Sequence, residues 1–169
     1  GELLVAEDST GWWNLSKAGP HFDSEQDPSW HCIWPMEAEI GMPQWVYGMS
    51  TTSSAGERVA LSICVNGSWQ INLLNREGLI IPFEQPYDDL EGLSADQNRI
   101  LTIASNPLHE SGLLEIDLTV GNFSHTPVRE PILDKSQISF PESFWFEGFE
   151  GKRTHAWYYP PANWNGLAA

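Results

Sequence analysis

Two glutamates with a spacing of two residues are the first candidates for chemistry. Glu37 and Glu39 flank Ala38 in a segment of apolar and small residues. On a β-strand, residues two apart point to the same face, so the two carboxylates could together hold an ammonium group. An α-amino group titrates near pH ~8 and is mostly charged at neutral pH. The alternative is that one glutamate caps a turn while the other is solvated.

A second candidate is a group of metal-binding residue types before this pair. It comprises five residues within twelve positions: His21, Asp23, Asp27, His31 and Cys32. A zinc site needs three or four ligands at set spacings, and this spacing fits no established pattern. Pro28 and the polar residues around it favour a solvated loop. We therefore predict neither a metal nor a cofactor.

Nucleophilic catalysis lacks a sequence signature. Ser, His and Asp are all present, but no serine stands in a G-x-S-x-G elbow, and a triad needs an oriented constellation. We expect His155 to be a packed or hydrogen-bonded residue. Cys32 and Cys64 lack the setting of reactive thiols, and two cysteines are too few for a disulfide framework. We assign no catalytic residue, and we expect a cytoplasmic protein.

Charge and aromatic content restrict the partners. The chain has 169 residues, of which 23 are acidic and 8 basic, and its net charge is −15. Such a chain repels phosphate groups, so neither nucleic acid nor an anionic membrane is an expected partner. Nine tryptophans are an unusually high number. Trp30 and Trp34 are candidates for a surface role such as sugar stacking, whereas Trp13 and Trp69 share a repeat position and are expected in the core.

The elements that must position these residues are short strands. Apolar runs of four to seven residues, bounded by turn signals, recur throughout; examples are Trp45–Met49, Val59–Val65 and Trp69–Leu74. This pattern predicts an all-β protein. Three segments also align from Gly11, Gly67 and Gly112, with apolar residues at the second and fourth following positions. Intervals of 56 and 45 residues are typical of propeller blades.

We therefore predict a partial β-propeller of about two to three four-stranded antiparallel blades and a C-terminal β-hairpin. The propeller covers residues 1–130, with blades at about 1–42, 43–87 and 88–130. Residues 131–142 form a linker, and residues 143–169 contain the hairpin. A lone blade cannot bury both of its faces, so the open blades are expected to self-associate.

Three stretches carry a family resemblance. Residues 8–15 (DSTGWWNL) resemble the D-x-T-G-W-x-N-L strand pair in propeller blades of prolyl oligopeptidase family serine peptidases. Residues 37–50 (EAEIGMPQWVYGMS) are similar to a signature of bacterial dipeptidyl and acylaminoacyl peptidases in that family. Residues 143–161, with THAWYYPP near their end, resemble the passage from the propeller into the α/β-hydrolase domain.

The resemblance implies a non-catalytic part of such a peptidase. The propeller would limit substrates to oligopeptides and position them for a Ser-His-Asp hydrolase domain, of which residues 143–169 would be the truncated first hairpin. Its partners would be the peptide, that hydrolase domain and further blades. Glu37 and Glu39 would help to bind the peptide N-terminus. The alternative is a propeller-like module that binds a glycan or a protein.

Overall fold

The computed structural model describes residues 3–19, 30–43, 45 and 47–162. Within these residues every regular element is a β-strand, apart from 3-10 turns at Lys135–Gln137 and Phe149–Gly151. The prediction of an all-β partial propeller with a hairpin is confirmed. In the described part of the chain, no helix is long and apolar enough to cross a membrane.

The strands form three antiparallel sheets and one hairpin, and strands adjacent in sequence are paired in each. The first sheet contains β1 (Leu4–Glu7), β2 (Asn14–Ala18) and β3 (Trp30–Cys32). The second contains β4 (Thr52–Ala55), β5 (Arg58–Val65), β6 (Ser68–Leu74) and β7 (Ile80–Pro82). The third contains β8 (Asp89–Ala95), β9 (Arg99–Asn106), β10 (His109–Asp117) and β11 (Asn122–Pro127). The hairpin pairs β12 (Glu142–Glu147) with β13 (Arg153–Tyr158). The domain boundaries proposed from the sequence stay a prediction.

The second sheet is covered on both faces. Along β5, Ala60 packs in a core shared with the third sheet, whereas Leu61 and Ile63 pack in a core shared with the first. These three side chains are at most 3% exposed. This double burial explains why the sequence of β5 is almost entirely apolar. In a strand covered on one face only, apolar and polar residues would alternate.

The first strands of the second and third sheets meet side by side. The backbone N–H of Ala95 donates to the hydroxyl of Ser53 at 2.8 Å, and the N–H of Leu93 donates to the carbonyl of Ser50 at 2.9 Å. Contact between the innermost strands of successive four-stranded sheets is the arrangement of blades around a propeller axis.

The repeat glycines differ in their surroundings, and one predicted strand needs correction. Gly11 and Gly67 lie in turns with positive φ, whereas Gly112 lies inside β10 next to a register shift. The predicted strand at Trp45–Met49 is wrong for the described residues: Trp45 lies in a bend, Tyr47 and Gly48 form a turn, and Met49 has no regular structure. Pro43 and the positive φ of Gly48 oppose continuous strand pairing there.

Asn14 ties the segment after β3 to the first sheet. Its side chain is fully buried and accepts a hydrogen bond from the N–H of Met36 at 2.8 Å. Its amide donates to the carbonyls of Met36 at 3.2 Å and Ala38 at 3.0 Å. One side chain thus satisfies three backbone groups that no strand ladder reaches, which buried backbone requires.

We predict that Asn14→Ala lowers the free energy of unfolding by about 3 kcal/mol, because it leaves these groups unpaired. Urea unfolding followed by circular dichroism measures the change. The matched control is Asn98→Ala at an exposed turn position, for which we expect a change within about 0.5 kcal/mol. Equal effects of the two substitutions would contradict the role given to Asn14.

The third sheet has an open apolar face. Leu101, Ile103 and Leu113 are 37%, 40% and 43% exposed, while their strand neighbours Ile100 and Leu114 are fully buried. Ile103 and Leu113 are cross-strand partners, so the exposed side chains form one patch.

We predict that the chain self-associates through this patch, because exposed contiguous apolar surface favours association. Ile103→Lys should shift the sedimentation profile at high protein concentration toward the monomer. The control is Ile81→Lys on β7, where the isoleucine is 51% exposed on another sheet. A wild-type chain that stays monomeric throughout the concentration range contradicts the prediction.

Candidate functional site

One face of the hairpin rests on the turn between β5 and β6. Trp145 and His155 are cross-strand partners, as are Ser143 and Trp157, and all four lie on this face. The indole N–H of Trp145 donates to the side-chain oxygen of Asn66 at 3.1 Å. We call this contact, formed by Asn66 and Gly67 with the side chains of the hairpin face, the joint.

Gly67 makes the close approach at the joint possible. Its φ is +81°, and a Cβ placed on it would lie 2.6 Å from Nε1 of Trp157 and 2.9 Å from Cε1 of His155. Any larger residue would therefore collide with the hairpin. The sequence alignment marked Gly67 as a repeat position but gave no physical reason for a glycine there.

His155 is packed and hydrogen bonded, as expected from the sequence. Its Nε2 lies 2.8 Å from the hydroxyl of Ser143, and its ring centroid is 5.0 Å from that of Trp145 and 5.4 Å from that of Trp157. These contacts account for the histidine as part of the joint.

A cation extends the joint toward the first blade. The guanidinium of Arg153 stands 4.2 Å from the centroid of the Trp145 ring, within range of a cation–π interaction. Its Nη1 is 3.5 Å from Oε2 of Glu37. Both charged side chains are well exposed, so the ion pair itself contributes little, of the order of 0–1 kcal/mol.

The structure gives the two candidate carboxylates different partners. Glu37 faces Arg153, whereas Oε2 of half-buried Glu39 accepts a hydrogen bond from the backbone N–H of Trp13 at 2.6 Å. The segment is also not a regular strand, because only Glu39 pairs, in an isolated bridge with Cys64. The same-face argument from strand geometry therefore fails, and binding of a peptide amine by the pair stays a prediction.

The surface tryptophans are placed on or beside the outer strand of the first sheet. Trp30 lies on β3 opposite Ala18 and is 42% exposed, and Trp34 is 41% exposed. Both are accessible, as a surface role requires. Glycan or protein binding through them stays a prediction.

The histidine-rich segment lies only partly in the described region. His21, Asp23 and Asp27 fall outside the described residues, and His31 is exposed on β3. Among the residues described, no group of three or more His, Cys, Asp or Glu side chains is arranged to hold a metal ion.

Both cysteines are free thiols. Burial raises the pKa of the Cys64 thiol, and the charge of Glu39 adds to this, while a backbone hydrogen bond from Gly67 partly opposes it. A raised pKa reduces the thiolate fraction at neutral pH, so Cys64 is a poor nucleophile.

Comparison with solved structures finds similar peptidases. Across 95% of this chain, a Mycobacterium tuberculosis puromycin-hydrolyzing peptidase superposes with a TM-score of 0.82 and 25% sequence identity. These structures support the resemblance to the prolyl oligopeptidase family. A puromycin hydrolase gives a TM-score of 0.81 at 25% identity over 96% of the chain. A prolyl endopeptidase, at 11% identity over 91% of the chain with a TM-score of 0.62, shares the fold.

The match covers only part of these relatives. The chain spans 24% of the first two prolyl oligopeptidase family structures and 23% of the third. No protein-family model matches the chain, and no curated protein matches it significantly. The resemblance to the prolyl oligopeptidase family therefore depends on structural similarity and on the sequence motifs.

We predict that Gly67→Ala weakens the joint, because the added Cβ would displace Trp157 and His155. Amide hydrogen exchange in β12 and β13 should accelerate at least tenfold, while exchange in β9 and β10 stays unchanged. Gly78→Ala is the matched control, since Gly78 has the same φ of +81° but nothing within 4 Å of an added Cβ. Equal acceleration in both variants would show that backbone strain alone causes the effect.

Proposed function

We propose that this chain forms the propeller side of a serine peptidase and positions oligopeptides beside a Ser-His-Asp hydrolase domain. The observation that carries the proposal is the agreement with puromycin-hydrolysing peptidases over 95–96% of the chain at TM-scores near 0.8. In this proposal the chain supplies no catalytic residue. It limits access and orients the substrate, and the acyl-transfer chemistry belongs to the hydrolase domain.

The free face of the hairpin supports the proposal. Phe144, Phe146 and Tyr158 are 45%, 46% and 51% exposed on the side opposite the joint. An isolated two-stranded hairpin is marginally stable in water, so this apolar face needs a cover. A hydrolase sheet that continues from the hairpin would supply that cover.

The proposed substrates are oligopeptides with a free amino terminus. The relatives are named for the hydrolysis of puromycin, and we extend peptidase activity of this kind to the protein that contains this chain. Glu37 is the better candidate for the amine, because its carboxylate is exposed and has only the weak contact to Arg153. Glu39 would act mainly by fixing the backbone at Trp13.

We also propose a cytoplasmic location. Cys32 and Cys64 are both free thiols, which is the usual state of cysteines in a reducing compartment.

The test compares two substrates of the protein in which this chain adjoins its hydrolase domain. We predict that Glu37→Gln raises KM about tenfold for L-alanyl-p-nitroanilide, whose amine is charged, and leaves kcat unchanged. A charge-assisted hydrogen bond has this order of magnitude. KM for the N-acetylated substrate should not change.

The control is Glu57→Gln, because Glu57 is likewise exposed and paired with an arginine, Arg76, at 2.5 Å. Equal KM changes for both substrates would remove Glu37 from amine recognition. If the wild-type protein cleaves neither substrate nor any longer peptide, the peptidase proposal itself is wrong.

A further inference from the structure

A cleft of about 450 Å³ lies between the hairpin and the second and third sheets. Trp157 and Tyr159 line it from the hairpin side, and Trp69 lines it from β6. The carboxylates of Asp88 and Asp89 lie where the chain passes from the second sheet to the third, and these residues also line the cleft. Three aromatic side chains and two acidic residues from distant parts of the sequence therefore share one cavity.

The backbone fixes the acidic side of the cleft. The carbonyl of Asp88 accepts a hydrogen bond from the N–H of Trp69 at 2.8 Å, and its N–H donates to the carbonyl of Ser105 at 3.2 Å. Asp88 is thus anchored to both neighbouring sheets. Asp89 accepts a hydrogen bond from the hydroxyl of Ser105 at 3.2 Å. The backbone of Asp88 and the carboxylate of Asp89 are thus held in place.

The charge of this side is not neutralised by a neighbour. Among the ion pairs formed by the described residues, none involves Asp88 or Asp89. Burial raises the pKa of the Asp88 carboxyl, a backbone hydrogen bond partly opposes this, and the charge of Asp89 adds to the rise. A partly buried carboxylate without a positive partner is unfavourable, so a cation in the cleft would be stabilised there.

The aromatic walls select the kind of cation. Indole and phenol rings attract ammonium groups through the negative potential of their faces. A bare metal ion prefers several oxygen ligands, whereas here much of the lining is aromatic or apolar. An alkylammonium group combines a positive charge with CH groups that pack on rings, and it matches both parts of the lining.

We propose that this cleft binds an organic ammonium group carried by a peptide, with Trp69, Trp157 and Tyr159 around the cation and Asp88 and Asp89 as its counter-charge. The source is an amino terminus or a lysine side chain, which present the same –NH₃⁺ group. The proposal does not depend on peptidase activity, because it concerns a cavity formed within this chain.

The experiment titrates the full 169-residue chain with small probes. The probes are L-alaninamide for an α-ammonium, Nα-acetyl-L-lysinamide for a side-chain ammonium, and neutral N-acetyl-L-alaninamide. Binding is followed through the indole N–H signal of Trp157 in ¹H–¹⁵N spectra, assigned with Trp157→Phe. We expect at least one ammonium probe to shift the signal with saturation, and the stronger of the two identifies the source. No saturable shift with either, or an equal shift with the neutral probe, overturns the proposal.

Charge variants test whether binding of the ammonium probes depends on the cleft or only on the overall negative charge of the chain. Asp88→Asn should weaken binding about tenfold, and Asp89→Asn should weaken it by a smaller factor, since Asp89 is more exposed. Glu84→Gln removes the same charge from an exposed position of the same connection and should leave the affinity unchanged. Asp89→Asn keeps the test valid if Asp88→Asn unfolds. Unchanged affinity in every folded aspartate variant overturns the proposal.

Discussion

The second sheet must bury both of its faces, and the rest of the structure depends on this constraint. Its strand β5 sends Leu61 and Ile63 to one neighbour and Ala60 to the other. A sheet with two apolar faces cannot exist alone in water, so the first and third sheets are necessary for it. The hydrogen bonds that the Ser50 carbonyl and the Ser53 hydroxyl accept from the third sheet then set the position of that sheet against it. The turn at Asn66 and Gly67 belongs to this fully supported sheet, which is why it can serve as a fixed base for the hairpin.

Local sequence patterns predicted the sheets well because strand periodicity and turn residues act over a few positions. The residues at the fourth position after each repeat glycine, Leu15, Ile71 and Ile116, are all at most 3% exposed. The same approach failed at Trp45–Met49, where apolar residues suggested a strand but Pro43 and Gly48 prevent regular pairing. The side chain of Trp45 is instead 86% exposed. Residue composition alone does not distinguish an exposed apolar turn from a buried strand.

The site was harder to predict because its contacts span long stretches of sequence. Trp145 reaches Asn66 across 79 positions, and Arg153 reaches Glu37 across 116. Glu37 and Glu39 were proposed from the sequence as an amine-binding pair, yet their partners, an arginine and a backbone N–H, have no signature in the local sequence. The run Tyr87-Asp88-Asp89 was the available signal for the cleft. Only the fold shows which aromatic residues line the same cleft.

The charge of −15 is partly explained by what individual carboxylates do. With 23 acidic and 8 basic residues, most carboxylates cannot have a basic partner of their own. Several act instead as hydrogen-bond acceptors at turns. The pKa of Glu7 is lowered by hydrogen bonds from Ser9 and Ser16, and that of Asp117 by hydrogen bonds from Thr119 and Val120.

Asp88 departs from this pattern. A carboxyl with a lowered pKa in the folded state stabilises the fold above its unfolded pKa, and this contribution disappears as the pH falls through the folded pKa. The raised pKa of Asp88 has the opposite sign, since its ionisation is less favourable in the folded chain than in the unfolded one. The Asp88 carboxylate is thus less favourable in the fold than in the unfolded chain, and it lines the cleft beside the joint. Its position fits a residue kept for binding, because a solvated turn would offer the same backbone hydrogen bonds without the cost of burying the charge.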